Sequence, residues 1–260
     1  MCIVALAWQI LPDTPLLLLN NRDEFFHRPT APLAVWADQP IIAGRDLQAD
    51  GTWLGITPSG RWAVLTNYRQ KSPPTEQQSR GLLVNAFLNS ALSPMEFARQ
   101  IDLQAYAGFN LIVGTMQQAV VVSNRGTAPT PLGAGLYVLS NALLDTPWPK
   151  VERLRRRVTQ EVLPLFAQAQ PEQLDAAFAV LSDQTCAADD ELPDTGIGLE
   201  WERLLSPICI VTPVYGTRTS TVLQANPQGY RMVEVTHGTP AQRVTQAGDW
   251  AAQLVTSTAL

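Results

Sequence analysis

Four tight turn signals punctuate this chain, and they limit its topology more than any other feature. Pro12-Asp13-Thr14, Pro58-Ser59-Gly60, Asn124-Arg125-Gly126 and Asn226-Pro227-Gln228-Gly229 each separate two runs of extended character. Turns this short join neighbouring antiparallel strands, whereas parallel strands need long crossovers. The runs they join are Ile3 to Leu11 with Pro15 to Asn21, and Trp53 to Thr57 with Arg61 to Tyr68. Next come Asn110 to Gly114, Ala119 to Ser123 and Leu136 to Ser140, and at the far end Ile208 to Thr212, Thr217 to Ala225 and Tyr230 to Val235. The reading is therefore antiparallel sheets with helices laid over them, α+β, in one domain spanning residues 1–260.

The helices have their own signatures. Ser93-Pro94-Met95-Glu96 is a capping box with proline in the first helical position, so a helix runs from there to about Ile101. Leu82, Leu83, Ala86 and Phe87 mark another over Gly81 to Asn89. Val151, Leu154, Val158 and Val162 form one stripe over Lys150 to Leu163, and a shorter helix covers Pro171 to Leu181. Arg153, Arg155, Arg156 and Arg157 give the first of these two a solvated basic face. Arg69 to Arg80 and the acidic run Asp183 to Glu200 read as loops.

Composition removes most chemistries. The net charge of −5 comes without a basic stripe, which argues against nucleic acid as a partner. No apolar run is long enough to span a bilayer and no basic leader precedes the first strand, so the expected location is the cytoplasm. Three cysteines (Cys2, Cys186, Cys209) and two histidines (His27, His237) make neither a disulfide scaffold nor a ligand set for zinc. No metal and no cofactor is expected, and both histidines read as structural.

Cys2 is the exception, because of its position. A small second residue permits removal of the initiator methionine, which leaves a cysteine with a free α-amine. Ordinary pKa values of about 7.7–8.0 for that amine and about 8.5 for the thiol let one residue supply both base and nucleophile. The alternative is a small apolar residue opening a buried strand. If the first two strands form a hairpin, Arg22 and Asp23 arrive beside Cys2, where a cation lowers the thiol pKa and a carboxylate holds the amine. Asn67, Asn141 and Arg218 also interrupt apolar strand-like runs, and amides at strand ends can donate to an oxyanion. With Met1 gone, Cys2 is expected to alkylate faster than Cys186 or Cys209.

Taken together, Asn21-Arg22-Asp23-Glu24, Asn67-Tyr68-Arg69, Leu139-Ser140-Asn141, Thr146-Pro147-Trp148-Pro149-Lys150-Val151 and Tyr215-Gly216-Thr217-Arg218 closely resemble the NRDE family, also called the transport and Golgi organisation protein 2 family. The resemblance covers nearly the whole chain. It implies kinship with N-terminal nucleophile hydrolases such as choloylglycine hydrolases and penicillin V acylases, and hence a four-layer αββα sandwich. By that resemblance Cys2 matches the nucleophile, Arg22 the arginine closing the second strand, and Arg218 the late arginine that organises the site. Asn67 and Asn141 end the segments that supply oxyanion or amine contacts. The enzymes carry an aspartate three residues after the arginine; here Phe25 stands there, and Asp23 and Glu24 come earlier. The activity implied is hydrolysis of a small non-peptide amide or acyl substrate. The alternative is a trafficking or carrier protein that keeps the fold and handles haem or lipid.

Overall fold

The computed structural model describes residues 1–71, 77–126, 128–238 and 240–250. Two antiparallel sheets lie face to face. The first contains β1 (Cys2–Trp8), β2 (Leu16–Phe25), β10 (Gly135–Leu139), β11 (Tyr215–Ala225), β12 (Gly229–Thr236) and β13 (Gln242–Asp249), in the order β10-β1-β2-β11-β12-β13. The second runs β3 (Thr30–Val35), β4 (Ile42–Asp46), β5 (Leu54–Ile56), β6 (Trp62–Asn67), β7 (Phe109–Gly114), β8 (Ala119–Ser123) and β9 (Thr130–Pro131), in chain order.

Side-chain alternation builds the layers. On β1, Val4, Leu6 and Trp8 point into the space between the sheets, where they meet Ile42, Leu54, Trp62 and Val64. Ile3, Ala5 and Ala7 point the other way, onto α3 (Pro149–Arg157) and α5 (Gln173–Leu181) through Val151, Leu154 and Ala177. The far face of the second sheet is covered by α1 (Gly81–Leu88) and α2 (Pro94–Gln100), packed through Phe87 and Phe97 on Phe109 and Leu111. The order helix, sheet, sheet, helix is the αββα sandwich. Both faces of β1 and β2 are buried, which is why Leu16 to Leu19 is an unbroken apolar run rather than an alternating one.

Several elements differ from the reading of the sequence. The helix begun at Pro149 does not stop near Leu163 but continues through a π turn, Val158–Val162, into α4 (Leu163–Ala167). Pro164 explains the turn: a proline inside a helix lacks an N–H and crowds the carbonyl four residues back, and widening the ladder relieves both. The Leu163 N–H accordingly donates to the Val158 carbonyl. Ile208 to Thr212 is no strand. Its Cys209 N–H donates to the Asp183 carbonyl (2.8 Å), its Ile210 N–H donates to Thr217 Oγ1 (2.9 Å), and Val211 makes one isolated bridge to Gly216. The acidic run holds a short 3-10 turn, Asp189–Glu191, and leads into α6 (Leu199–Leu204). Strands β3, β4 and β13 escaped the sequence reading. Pro32 sits in β3 where the register shifts between Ala31 and Ala34, and the composition of β13 is polar because it is an edge. Of Arg69 to Arg80, residues 72–76 lie outside the described residues; the rest is irregular apart from a bridge between Gln78 and Tyr106.

Candidate active site

The β1–β2 register decides what faces Cys2. The hairpin pairs Cys2 with Arg22, Ile3 with Asn21 and Val4 with Asn20. Met1 and Asp23 exchange backbone hydrogen bonds: the chain amine donates to the Asp23 carbonyl and the Asp23 N–H donates to the Met1 carbonyl. Cys2 and Arg22 are thus the adjacent pair without ladder bonds, the kind in which opposed side chains come closest. Both turn toward the space between the sheets, at the end of the sandwich. There a cavity of about 370 Å³ opens, lined by Cys2, Arg22, Asp46, Trp53, Asn67 and Arg80 among others.

Arg22 is held on three sides. Its Nη2 donates to Asp46 Oδ2 (2.9 Å), its Nη1 donates to Thr30 Oγ1 (3.2 Å), and the guanidinium lies 4.4 Å from the Trp53 ring centre. Arg28 donates from Nε to the same Asp46 oxygen (2.6 Å), while the N–H groups of Gln48 and Ala49 donate to the other. Partial burial alone would raise the Asp46 carboxyl, but Arg28 and Arg22 together hold it below the usual carboxylate range. The Trp53 ring has room because Gly44 lies beneath it; a Cβ there would come within 2.5 Å of Trp53 Cη2. Asp46 is the carboxylate that pairs with Arg22, where Phe25 stands three residues after that arginine in the chain. It comes from β4 on the opposite sheet, a strand the sequence did not announce.

Cys2 is 5% exposed. Burial pushes its thiol up, and the chain amine and Arg22 only partly offset this because Asp23 and Glu24 act in the opposite sense. Asp23 sits next to Arg22 in the chain but projects from the opposite sheet face. Its Oδ1 accepts from Thr217 Oγ1 (2.7 Å), and Oδ2 is buried with no hydrogen-bond partner. Burial raises this carboxyl also, against the chain amine, Lys150 and Arg69.

The two asparagines and the late arginine are placed unequally. Asn67 ends β6 at the cavity wall. Asn141 is fully buried behind it: its Nδ2 donates to the Asn67 carbonyl (2.9 Å) and its own carbonyl accepts from the Arg69 N–H (2.7 Å). Arg218 does not line the cavity. A register shift between Thr217 and Thr219 frees it from the ladder, and its Nη1 donates to the carbonyls of Phe25, Phe26 and Arg28 (3.0–3.1 Å). It braces the turn that presents Arg28 to Asp46. The structure thus brings Cys2, Arg22, Asp23 and Asn67 to one cavity, with the Asp23 carboxylate turned inward onto Thr217, sets Asn141 behind its wall, and leaves Arg218 outside.

Four residues escaped the sequence reading. Asp46 and Arg80 stand in the cavity, while Arg69 and Lys150 are buried beneath it. Arg69 and Lys150 lie within the motifs that carried the family resemblance, which was their only signal. A Ser–His contact offers no rival nucleophile. The Asn21 amide donates to two carbonyls, so its Oδ1 accepts from Ser220 Oγ (2.6 Å), and His237 Nε2, 2.8 Å away, must donate to that hydroxyl. Among the described residues no group of three or more His, Cys, Asp and Glu could hold a metal ion, and no helix is long and apolar enough to cross a membrane.

The chain is 34% identical over 256 residues to the Transport and Golgi organization protein 2 homolog of Bos taurus, covering 88% of this chain and 90% of that one. The Homo sapiens homolog is 32% identical over 253 residues, with the same coverage. The Drosophila melanogaster protein of that name is 28% identical over 233 residues, covering 80% and 81%. Among solved structures, the Caenorhabditis elegans N-acylethanolamine-hydrolyzing acid amidase ortholog matches at a TM-score of 0.48 and 14% identity, over 85% of this chain and 92% of that one. A mutant conjugated bile acid hydrolase from Clostridium perfringens matches at 0.46 and 11%, over 96% and 92%. The profile described as Transport and Golgi organisation 2 matches residues 1–237, and the chain belongs to that family.

Proposed function

We propose that this protein is an N-terminal cysteine nucleophile amidohydrolase acting on a small non-peptide amide. The observation that carries the reading is Cys2 at the start of a buried strand, paired with an anchored arginine on a cavity of about 370 Å³. In that reading Met1 is removed, and the α-amine of residue 2 takes the thiol proton. The thiolate attacks the amide carbonyl, and the developing oxyanion accepts from Asn67, whose backbone Asn141 fixes. The amine then gives its proton to the leaving nitrogen, and the C–N bond breaks to leave a thioester. Water attacks the thioester, the amine again moving the proton, and the thiol returns with release of the acid. Asp23 holds the cationic amine, Arg22 favours the thiolate, and Arg218 acts through the turn it braces.

The test uses purified protein, intact mass and small N-acyl amides with a fluorogenic amine. The expected result is a chain without Met1 that releases the amine, slowed in Cys2→Ser and abolished in Cys2→Ala. Undiminished release from Cys2→Ala, or Met1 retained throughout, overturns the reading.

A second reading takes its support from the relatives' names, which speak of transport and Golgi organisation. With Met1 attached, residue 2 has an amide nitrogen and a thiol raised by burial, a state without a base. The cavity then carries a ligand such as haem or lipid without turning it over. Retained Met1 together with full cellular function of Cys2→Ala favours this reading.

A further inference from the structure

Lys150 has no place in the reaction above, yet its position is costly. It lies in the first turn of α3, where Pro147, Trp148 and Pro149 fix the approach of the chain. The side chain is 3% exposed and its Nζ has no hydrogen-bond partner. A lysine can normally extend its ammonium to water, and burying the charge without a partner is expensive.

The surroundings narrow what the ammonium faces. Helix α3 packs on β10 and β1, so Lys150 lies on the helix side of the first sheet, the side from which Asp23 projects. Four groups bear on it: Arg69 after β6, Asp23 on β2, Cys2 on β1 and Glu202 on α6. Glu202 is already committed. Its Oε2 accepts from Arg69 Nη1 (2.5 Å), and its Oε1 accepts from the Thr195 N–H (2.8 Å) and Oγ1 (2.5 Å). Arg69 also lies over the Trp148 ring at 4.7 Å. Asp23 is half committed: Thr217 takes Oδ1, and Oδ2 is buried without a partner. Two buried, oppositely charged groups with unfilled hydrogen-bonding capacity therefore share one face behind residue 2.

We propose that Lys150 is a positioning residue of the Cys2 centre, its buried ammonium keeping the Asp23 carboxylate ionised behind residue 2. The two act across space, without a direct hydrogen bond. Burial drives Asp23 toward the neutral acid, and a neutral acid cannot hold a cationic amine. Lys150 opposes that drive, as do the chain amine and Arg69. The influence is mutual: burial and Arg69 push Lys150 down to about 7, while Asp23 works to keep it charged. Only the catalytic consequence rests on the hydrolase reading; the coupling itself does not.

The experiment reads the Asp23 carboxyl directly, by carbon NMR of protein labelled in aspartate carboxyl carbons, with Asp23→Asn to assign the signal. Lys150→Met should raise the Asp23 midpoint by about one unit, a tenfold loss of acidity, and Lys150→Arg should restore it. An unmoved midpoint in Lys150→Met overturns the proposal. If Lys150→Met does not fold, the reciprocal measurement takes its place. By linkage, Asp23→Asn should lower the midpoint of the Lys150 side chain, read from labelled lysine carbons next to nitrogen; an unchanged Lys150 midpoint overturns the proposal equally. None of these readouts requires hydrolysis, so failure of the amidase reading and failure of this one remain distinct.

Discussion

Cys2 and Cys186 carry the same thiol in opposite surroundings, and the contrast fixes their reactivity. Cys186 is exposed, whereas Cys2 and Cys209 are buried, with thiols raised by desolvation. Iodoacetamide should therefore modify Cys186 first while Met1 is attached, and the faster alkylation expected of Cys2 belongs to the chain without Met1. Removing Met1 moves the chain's positive charge onto Cys2 itself. A cation that close favours the thiolate, so the Cys2 rate should rise about tenfold, roughly one unit of pKa, with Cys186 and Cys209 unchanged. Site-resolved mass spectrometry on the two forms checks this; equal Cys2 rates would remove the amine from the mechanism. Asp46 gives a second lesson at this scale. Asp23 adjoins Arg22 in the chain, but alternation sends its carboxylate to the far face, and the sheet opposite supplies Asp46 to Arg22.

At the scale of elements, local chemistry was a good guide wherever the signal was local. Ser93 accepts from the Glu96 N–H (3.3 Å) and Glu96 reaches back to the Ser93 N–H (3.0 Å), closing the capping box on α2. Ser93→Ala should cost about 1 kcal/mol, seen as a lower urea midpoint with unchanged slope; no change would mean that Pro94 and packing through Phe97 hold the helix start unaided. The basic face of α3 is less solvated than its composition implies. Arg155 bonds Asp145 (2.5 Å) and Arg157 bonds Asp183 (3.0 Å), tying the helix to the loops around it, while Arg157 also bonds Glu161 (2.7 Å) one turn along the same helix.

Across the whole molecule, the two sheets meet through a buried carboxylate as well as through apolar side chains. Glu234 on β12 is 1% exposed; it accepts from the Leu33 N–H of β3 (2.8 Å) and from Thr221 Oγ1 (3.4 Å). Burial pushes it up to about 7 from an ordinary 4.5. The folded protein therefore prefers the protonated acid. Its contribution to stability is complete below about 4.5 and is lost as pH rises through about 7. Glu234→Gln keeps an acceptor for Leu33 and cannot ionise. It should leave stability nearly unchanged near pH 4.5 and raise the melting temperature above pH 7, by an amount equivalent to roughly 3 kcal/mol at most. Parallel melting curves for the two proteins across that range would refute the assignment.

The residues alone made the hairpins β1–β2, β5–β6 and β11–β12 legible, because so short a connection between extended runs admits only antiparallel pairing, whereas the run read after Asn124-Arg125-Gly126, β10, lies in the other sheet from β8. The strands close over residues 9–15 and pair Cys2 with Arg22, where a turn confined to residues 12–14 would have set Glu24 opposite Cys2, so that register was not legible. The capping box of α2 and the antiparallel pairing of the hairpins were. Local chemistry is enough for each of these. Only the tertiary structure decided that Asp46 answers Arg22, that Arg218 braces a turn rather than lining the cavity, and that Lys150 lies buried behind Asp23. Each of those pairings crosses between sheets or layers, joining residues whose neighbours in the chain give no sign of each other. Burial decides their charge states, and burial belongs to the packed sandwich rather than to any segment of it.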